Sequence, residues 1–324
     1  MNNYSFLQRK LHHLALSSQM MREAMFDFET SLTSTEQIFD KHVFVSGLAR
    51  SGTTILLNAI YRSREFASLS YKDMPFVLAP NLWSKVYSDK QHIKYIERAH
   101  ADGIMISAQS PEAFEEVFWM TFDESDEFTK ERFKKYVNLI NKRYSKKRYL
   151  SKNNQNIRRI ELISRVFPNS KILIPFRDPI KQAHSLLSQH QRFIESAKND
   201  NFVADYMRWI GHTEFGPNYI PIYNKNLIFG DYMDINHWLE QWLLTYQNCY
   251  EKYKDTKNIY FICYEKICSS KDYWSDLLDL LCIENKVDFK FMESQKEVTF
   301  SIDNRVSGKG LSLYSELLQY RFRN

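Results

Sequence analysis

His42-Val43-Phe44-Val45-Ser46-Gly47-Leu48-Ala49-Arg50-Ser51-Gly52-Thr53-Thr54 is the stretch on which the fold turns. A short β-branched and aromatic run ends in a glycine-bearing turn, and Thr53–Tyr61 then carries the apolar pattern of a buried helix. Strand, glycine loop and helix in that order open a parallel α/β sheet. The spacing of Gly47 and Gly52 lets successive backbone N–H groups and the start of the helix form an anion cradle. A loop that serves a metal-bound triphosphate needs Lys and then Ser or Thr directly after the second glycine. Thr53 stands in the Lys position and Arg50 is the cation of the loop. The cradle therefore lacks the γ-phosphate and Mg²⁺ apparatus.

Outward from this unit, Phe66–Ser70, Arg148–Ser151, Lys171–Phe176 and Asn258–Cys263 read as further strands. Helices are expected over Ser5–Phe28, Pro111–Thr121 (with Ser110 as N-cap and Pro111 first), Asn154–Val166, Ile180–Phe193 and Ile235–Tyr253. Phe167–Ser170 reads as a turn. Residues 199–234, rich in aromatics, Asn, Gly and Pro, read as a long irregular excursion on the acceptor side. The whole chain, 1–324, reads as one domain with a helical N-terminal extension over 1–38.

Composition excludes several classes. With 44% apolar and 26% charged residues the chain is an ordinary globular one. Cys249, Cys263, Cys268 and Cys282 include no CxxC pair, no HExxH occurs, and no His or Cys cluster has metal-ligand spacing. His12 and His13 are expected on the surface. The first twenty residues lack an apolar core and no stretch approaches a membrane span, so the expectation is a cytoplasmic protein without a transmembrane segment. Between Lys130 and Lys152 ten Lys or Arg face one acid, Glu131, which is either a solvated face or a site for an anionic partner.

At Arg50-Ser51-Gly52-Thr53-Thr54 the sequence resembles the sulfotransferases that use 3′-phosphoadenosine-5′-phosphosulfate (PAPS), whose 5′-phosphosulfate loop reads Lys/Arg-Ser/Thr-Gly-Thr-Thr. Their 3′-phosphate element is a strand ending in Arg, then Asp/Asn-Pro, then Ser eight residues after the Arg. Arg177-Asp178-Pro179 followed by Ser185 is similar to it. The resemblance implies that Arg50, Ser51, Gly52, Thr53 and Thr54 hold the 5′ end of PAPS. Arg177 supplies a planar fork and Ser185 a hydroxyl to the 3′-phosphate. It also implies 3′-phosphoadenosine-5′-phosphate (PAP) as product and no metal requirement.

Pro111-Glu112-Ala113-Phe114-Glu115-Glu116-Val117-Phe118-Trp119 resembles the segment that carries the catalytic base in heparan sulfate N-deacetylase/N-sulfotransferases. Carried over, the base is Glu116. Adjacent helical residues diverge by about 100°, so only one of Glu115 and Glu116 should enter the cleft. In this chain the segment lies further from the loop, which implies an insertion at 71–101. Leu150-Ser151-Lys152-Asn153-Asn154 resembles the element of tyrosylprotein sulfotransferases in which a Lys assists the leaving phosphate, although the Asp-Pro that follows it there is missing. Lys152 and Arg50 are thus the expected leaving-group cations, with Arg50 acting electrostatically. His184 and His190 are alternative bases, as in cytosolic aryl sulfotransferases, and Arg305, Ser307 and Lys309 are candidates to close over the nucleotide.

The combined expectation is a P-loop-type three-layer α/β fold with a central parallel sheet flanked by helices. It would transfer a sulfuryl group in line from PAPS to a hydroxyl or amine of a small molecule or glycan, with no nucleic-acid partner. A P-loop kinase or NTPase requires Lys at position 53. A non-catalytic binder of anionic polymers would act through Lys130–Lys152, where Phe133, Tyr136, Tyr144 and Tyr149 interleave with the charges.

Overall fold

The computed structural model describes residues 5–34, 39–86, 95–97, 105–112, 114–199, 201–224, 227–286, 288–291 and 301–320. The first half contains α1 (Phe6–Leu16), α2 (Gln19–Leu32), β1 (Val43–Val45), α3 (Thr53–Tyr61), β2 (Phe66–Ala67), α4 (Pro80–Val86), β3 (Ile96–Glu97), β4 (Met105–Ile106), α5 (Glu116–Trp119) and α6 (Glu127–Arg143). The second half contains β5 (Arg148–Lys152), α7 (Ile160–Val166), β6 (Lys171–Phe176), α8 (Pro179–Asn199), α9 (Asn201–Trp209) and α10 (Ile235–Tyr253). It closes with β7 (Ile259–Cys263), α11 (Tyr264–Ser269), α12 (Lys271–Leu280) and α13 (Asn304–Gln319).

Among the described residues, five strands form one all-parallel sheet in the order β2-β5-β1-β6-β7, and β3 and β4 make a separate antiparallel pair. Strand alternation sends successive side chains to opposite faces. Phe44 therefore enters a core with Phe133 and Phe167, while Val43 and Val45 enter a second one with Leu56 and Leu57. Helices cover both faces, giving the expected three-layer α/β fold. Register places Val45 beside Lys152 on one side and Leu173 on the other. The segments after β1, β5, β6 and β7 consequently leave the sheet at one edge, where open α/β sheets place their ligands.

Several expected elements differ. Ser5–Phe28 is two helices, because the Ser18 hydroxyl accepts from Met21 N and starts α2. The N-terminal helices pack on the rest of the chain: Phe26 packs on Phe118 and Phe122, and Glu29 accepts from the amides of Asn81 and Leu82. His12 is buried against Phe202 and Tyr206 instead of lying on the surface. The helix expected at Pro111–Thr121 is confined to α5. Glu112 N donates to Leu69 O, Pro111 bridges Ser70, and Ser110 Oγ accepts from Ser107 N instead of capping a helix. Asn154–Val166 breaks at Arg159 into a 3-10 turn (Asn154–Arg158) and α7. Residues 199–234 contain α9, whose Phe202, Val203, Tyr206 and Met207 are buried. Residues 87–94 and 98–101 of the expected insertion, like 1–4 and 35–38 of the expected N-terminal extension, lie outside the described residues.

Candidate active site

The glycine loop leaves β1 at the centre of the sheet. Arg50 and Gly52 both have left-handed backbone, with φ of 68° and 92°. For Arg50 that conformation is uncommon, and such positions collect at ligand sites. Gly52 is required twice over: its φ suits glycine, and an added Cβ would stand 2.3 Å from Cδ2 of Tyr264. Gly52 is also the N-cap of α3, and no side chain caps this helix. Its amides therefore point at the loop's concavity, where an anion is favoured. Ser51 Oγ donates to Leu48 O over 2.8 Å and so braces the turn from within.

On one side of this loop stands the segment after β6. Arg177 follows the strand directly, Asp178 caps α8 by accepting from Lys181 N, and Ser185 lies two turns on. Arg50 Nε donates to Ser185 Oγ over 3.0 Å, so the two elements singled out in the sequence meet. Gln182 ties them a second time through Nε2 to Ala49 O at 3.0 Å. Trp242 Nε1 in turn lies 3.1 Å from Gln182 Oε1 and 3.2 Å from Arg177 O. The Arg177 guanidinium lies over the Tyr264 ring, with Nε 3.7 Å from Glu265 Oε1. Nε is buried and makes no hydrogen bond, a donor arrangement that fits an anion. Tyr264, Glu265, Gln182 and Trp242 were not singled out in the sequence. They carry no motif, and only the fold brings them here.

On the other side, Lys152 ends β5, nine-tenths buried, with Nζ 3.7 Å from Glu112 Oε1. Tyr71 OH donates to Glu112 Oε2 over 3.0 Å. Glu115 and Glu116 diverge as neighbouring helical residues must. Glu115 accepts from Trp119 Nε1, Tyr149 OH and Asn156 Nδ2 and is a buried structural carboxylate. Glu116 is held in two parallel bonds by Arg159, Nη1 to Oε2 at 2.6 Å and Nη2 to Oε1 at 2.8 Å, and Asn153 Nδ2 donates to Oε2 at 2.7 Å. Burial raises the Glu116 carboxyl above its ordinary range, against the opposing pull of Arg159 and Asn153. Arg159 also pairs with Glu124 and lies over the Trp119 ring. Beside Lys152 the loop after α9 presents His212, with Nδ1 3.3 Å from Glu214 Oε2. Burial lowers the His212 pKa, Glu214 opposes that shift, and Lys152 reinforces it.

The remaining candidates separate. His190 is buried, accepts from Gly216 N at Nδ1, and packs among Tyr219, Tyr232 and Trp238, which makes it a core residue. His184 is half-buried on α8, next to Ser185 in the chain. Arg305, Ser307 and Lys309 lie on the first half of α13. There Arg305 pairs with Asp303, Ser307 bonds Asp303 O, and Gly310 faces Pro179 at the start of α8. Much of the basic run is engaged in ion pairs. Lys130, Arg132, Lys134, Arg143, Arg148 and Lys152 each pair with a carboxylate. Burial pushes the Cys249 and Cys263 thiols up to about 12, so neither is a nucleophile at neutral pH. Among the described residues, no group of three or more His, Cys, Asp or Glu is arranged to hold a metal ion, and no helix is long and apolar enough to cross a membrane.

The parallel sheet thus carries a glycine loop at its centre and a buried guanidinium one strand away. Residues 42–214, just over half of the chain, match the model of the Sulfotransferase family, and the chain belongs to that family. No curated protein matches it. Among solved structures it is similar to sulfotransferase STF1 from Mycobacterium tuberculosis H37Rv, at 11% identity over 95% of this chain and 81% of that one, with a TM-score of 0.49. It is also similar to sulfotransferase STF9 from Mycobacterium avium, at 14% identity over 99% and 81%, with a TM-score of 0.45.

Proposed function

We propose that the protein transfers a sulfuryl group from PAPS to a hydroxyl or amine of a small molecule or glycan. The observation that carries this reading is the Arg50–Ser185 hydrogen bond, which joins the anion cradle to the Arg177 element. Arg50, Ser51, Gly52, Thr53 and Thr54 would hold the 5′-phosphosulfate, and Arg177 and Ser185 the 3′-phosphate. In the transfer the acceptor atom forms a bond to sulfur as the bond from sulfur to the phosphate oxygen breaks. Lys152 and Arg50 stabilise the charge that gathers on the leaving phosphate. The acceptor's proton passes to a carboxylate of the Glu112–Glu116 segment. Within that segment the resemblance to the N-sulfotransferases points to Glu116, whose carboxylate Arg159 and Asn153 hold. The chain as a whole, 1–324, serves as one domain, with the segment after α9 on the acceptor side.

Thermal melts test the donor. PAP should raise Tm more than AMP or ATP at equal concentration, and equal shifts with PAP and AMP would remove PAPS from the reading. PAP release from PAPS in excess EDTA tests the rival. Strict Mg²⁺ dependence would move the protein to the kinase class. A panel of phenols, sugars and amines, read by product mass, then identifies the acceptor.

A further inference from the structure

We propose that Glu112, paired with Lys152, is the base that takes the acceptor's proton, and that Glu116 is a clamp that fixes the Arg159 region; the assignment rests on the PAPS reading above. Three observations carry it. The first is place. Glu112 N bonds Leu69 O and Pro111 bridges Ser70, so this segment lies antiparallel beside the stretch that follows β2. The neighbouring strand β5 brings Lys152 to within 3.7 Å of Glu112 Oε1, and Lys152 is in register with Val45, which leads into the anion cradle. A base must lie within hydrogen-bond reach of the atom it deprotonates, and that atom attacks beside the leaving-group cations.

The second observation is the occupancy of Glu116. A carboxylate offers roughly four lone-pair directions. Arg159 takes two of them in a bidentate grip and Asn153 a third. Arg159 is permanently charged, so proton uptake on Glu116 requires breaking that grip. The third is covering. A Cβ at Gly211, itself at φ +71°, would stand 2.4 Å from Glu116 Cγ, so the backbone of the following loop lies directly against this side chain. Gly211 is the residue that permits this close fit. Glu112 accepts from Tyr71 OH at Oε2 and pairs with Lys152 through Oε1, with no bidentate guanidinium seen on it among the described residues. In the proposed step the acceptor oxygen or nitrogen bonds to sulfur and its proton moves to Glu112. The electron pair of the broken S–O bond stays on the phosphate of PAP, beside Lys152.

Water is an acceptor that needs no identification, so the test is single-turnover cleavage of PAPS with enzyme in excess, read as PAP formed. Glu112→Gln keeps the shape and the Tyr71 hydrogen bond. Its rate should fall roughly 10²–10⁴-fold, with PAP-induced Tm shifts unchanged, and Glu112→Asp should recover part of the loss. Glu116→Gln should lower Tm and change the rate less than tenfold at a temperature where it is folded. An unchanged rate in Glu112→Gln, or a larger rate loss in folded Glu116→Gln, overturns the assignment while PAP binding stays intact. Failure of PAP to stabilise the wild type would instead overturn the donor reading itself.

Discussion

Arg50 donates from Nε to Ser185 Oγ over 3.0 Å, so a contact spanning 135 positions of the chain joins the glycine loop to the helix that follows Arg177. Arg50 reaches it from a left-handed backbone, and Gln182 bonds the preceding carbonyl, Ala49 O, from the same helix as Ser185. The loop's cation is thus positioned by the helix that carries Ser185.

That geometry predicts coupling between the halves. Ser185→Ala should weaken PAP about tenfold, the worth of one hydrogen bond to a charged group. Arg177→Ala should abolish most of the preference for PAP over AMP, since on the proposed reading the buried guanidinium is the group that distinguishes them. Calorimetric titration of Arg50→Ala, Ser185→Ala and the double variant checks the link. The two losses should combine to less than their sum, and strict additivity would show that the contact has no part in nucleotide binding.

Gly52→Ala should destabilise the fold by about 2–4 kcal/mol, from left-handed strain and from overpacking against Tyr264. The added methyl would stand 2.3 Å from the ring. Urea unfolding measures the loss. In a Tyr264→Leu background the steric part should shrink and the backbone part remain. A penalty that is the same in both backgrounds would remove Tyr264 from the account.

The loop and its flanks were legible in the sequence because local rules settle them. Thr53–Tyr61, Lys171–Phe176 and Ile235–Tyr253 are found at their expected boundaries, and each has one clear period with a cap, turn or glycine at its end. The surroundings of Glu112 and Glu116 were not legible. Arg159 and Glu116 meet across 43 positions, and Arg159 reads in sequence as one more cation on a basic helix. Glu112 read as a first-turn helical acid, the usual meaning of Ser-Pro-Glu. Backbone pairing with Leu69 and Ser70 overrides that local preference and turns the residue towards Lys152. Helix α9 was hidden for a related reason: its aromatics occur in a stretch whose Gly, Asn and Pro content reads as loop.

Stability should fall in mild acid. His42 is fully buried and its Nδ1 accepts from Tyr149 N, so the ring is neutral; burial, the largest cause, lowers its pKa to about 4. The unfolded chain then binds the proton more tightly than the folded one. This stabilisation is fully present above the ordinary value of about 6.5 and is lost as pH falls towards 4, amounting to roughly 3 kcal/mol. Burial also lowers His12, His190, His212 and His237, which act in the same sense. Urea midpoints at pH 7.5, 6.0 and 5.0 should decline steadily. A flat profile across that range would contradict the burial of these rings as neutral groups.

The clamp role of Glu116 gives a signature that a simple loss of packing lacks. Arg159→Met removes the guanidinium and keeps apolar bulk, leaving Glu116 buried with Asn153 as its remaining hydrogen-bond donor among those seen. Breaking a buried pair in this way costs on the order of 3–5 kcal/mol near neutral pH. Glu116→Gln should cost less, because Arg159 keeps its pairing with Glu124. The sign with pH then separates the explanations. Burial already holds the Glu116 pKa above its unfolded value, and loss of Arg159 removes the largest opposing influence and raises it further. A carboxyl shifted upward takes a proton more readily when folded, so the penalty of Arg159→Met relative to wild type should shrink as pH falls from 7.5 to 5. In the double variant Glu116→Gln/Arg159→Met the buried charge is gone, so its penalty should be smaller than that of Arg159→Met alone and nearly independent of pH. A penalty for Arg159→Met that is the same at both pH values would mean that Arg159 contributes shape rather than charge, and the clamp would have to be withdrawn.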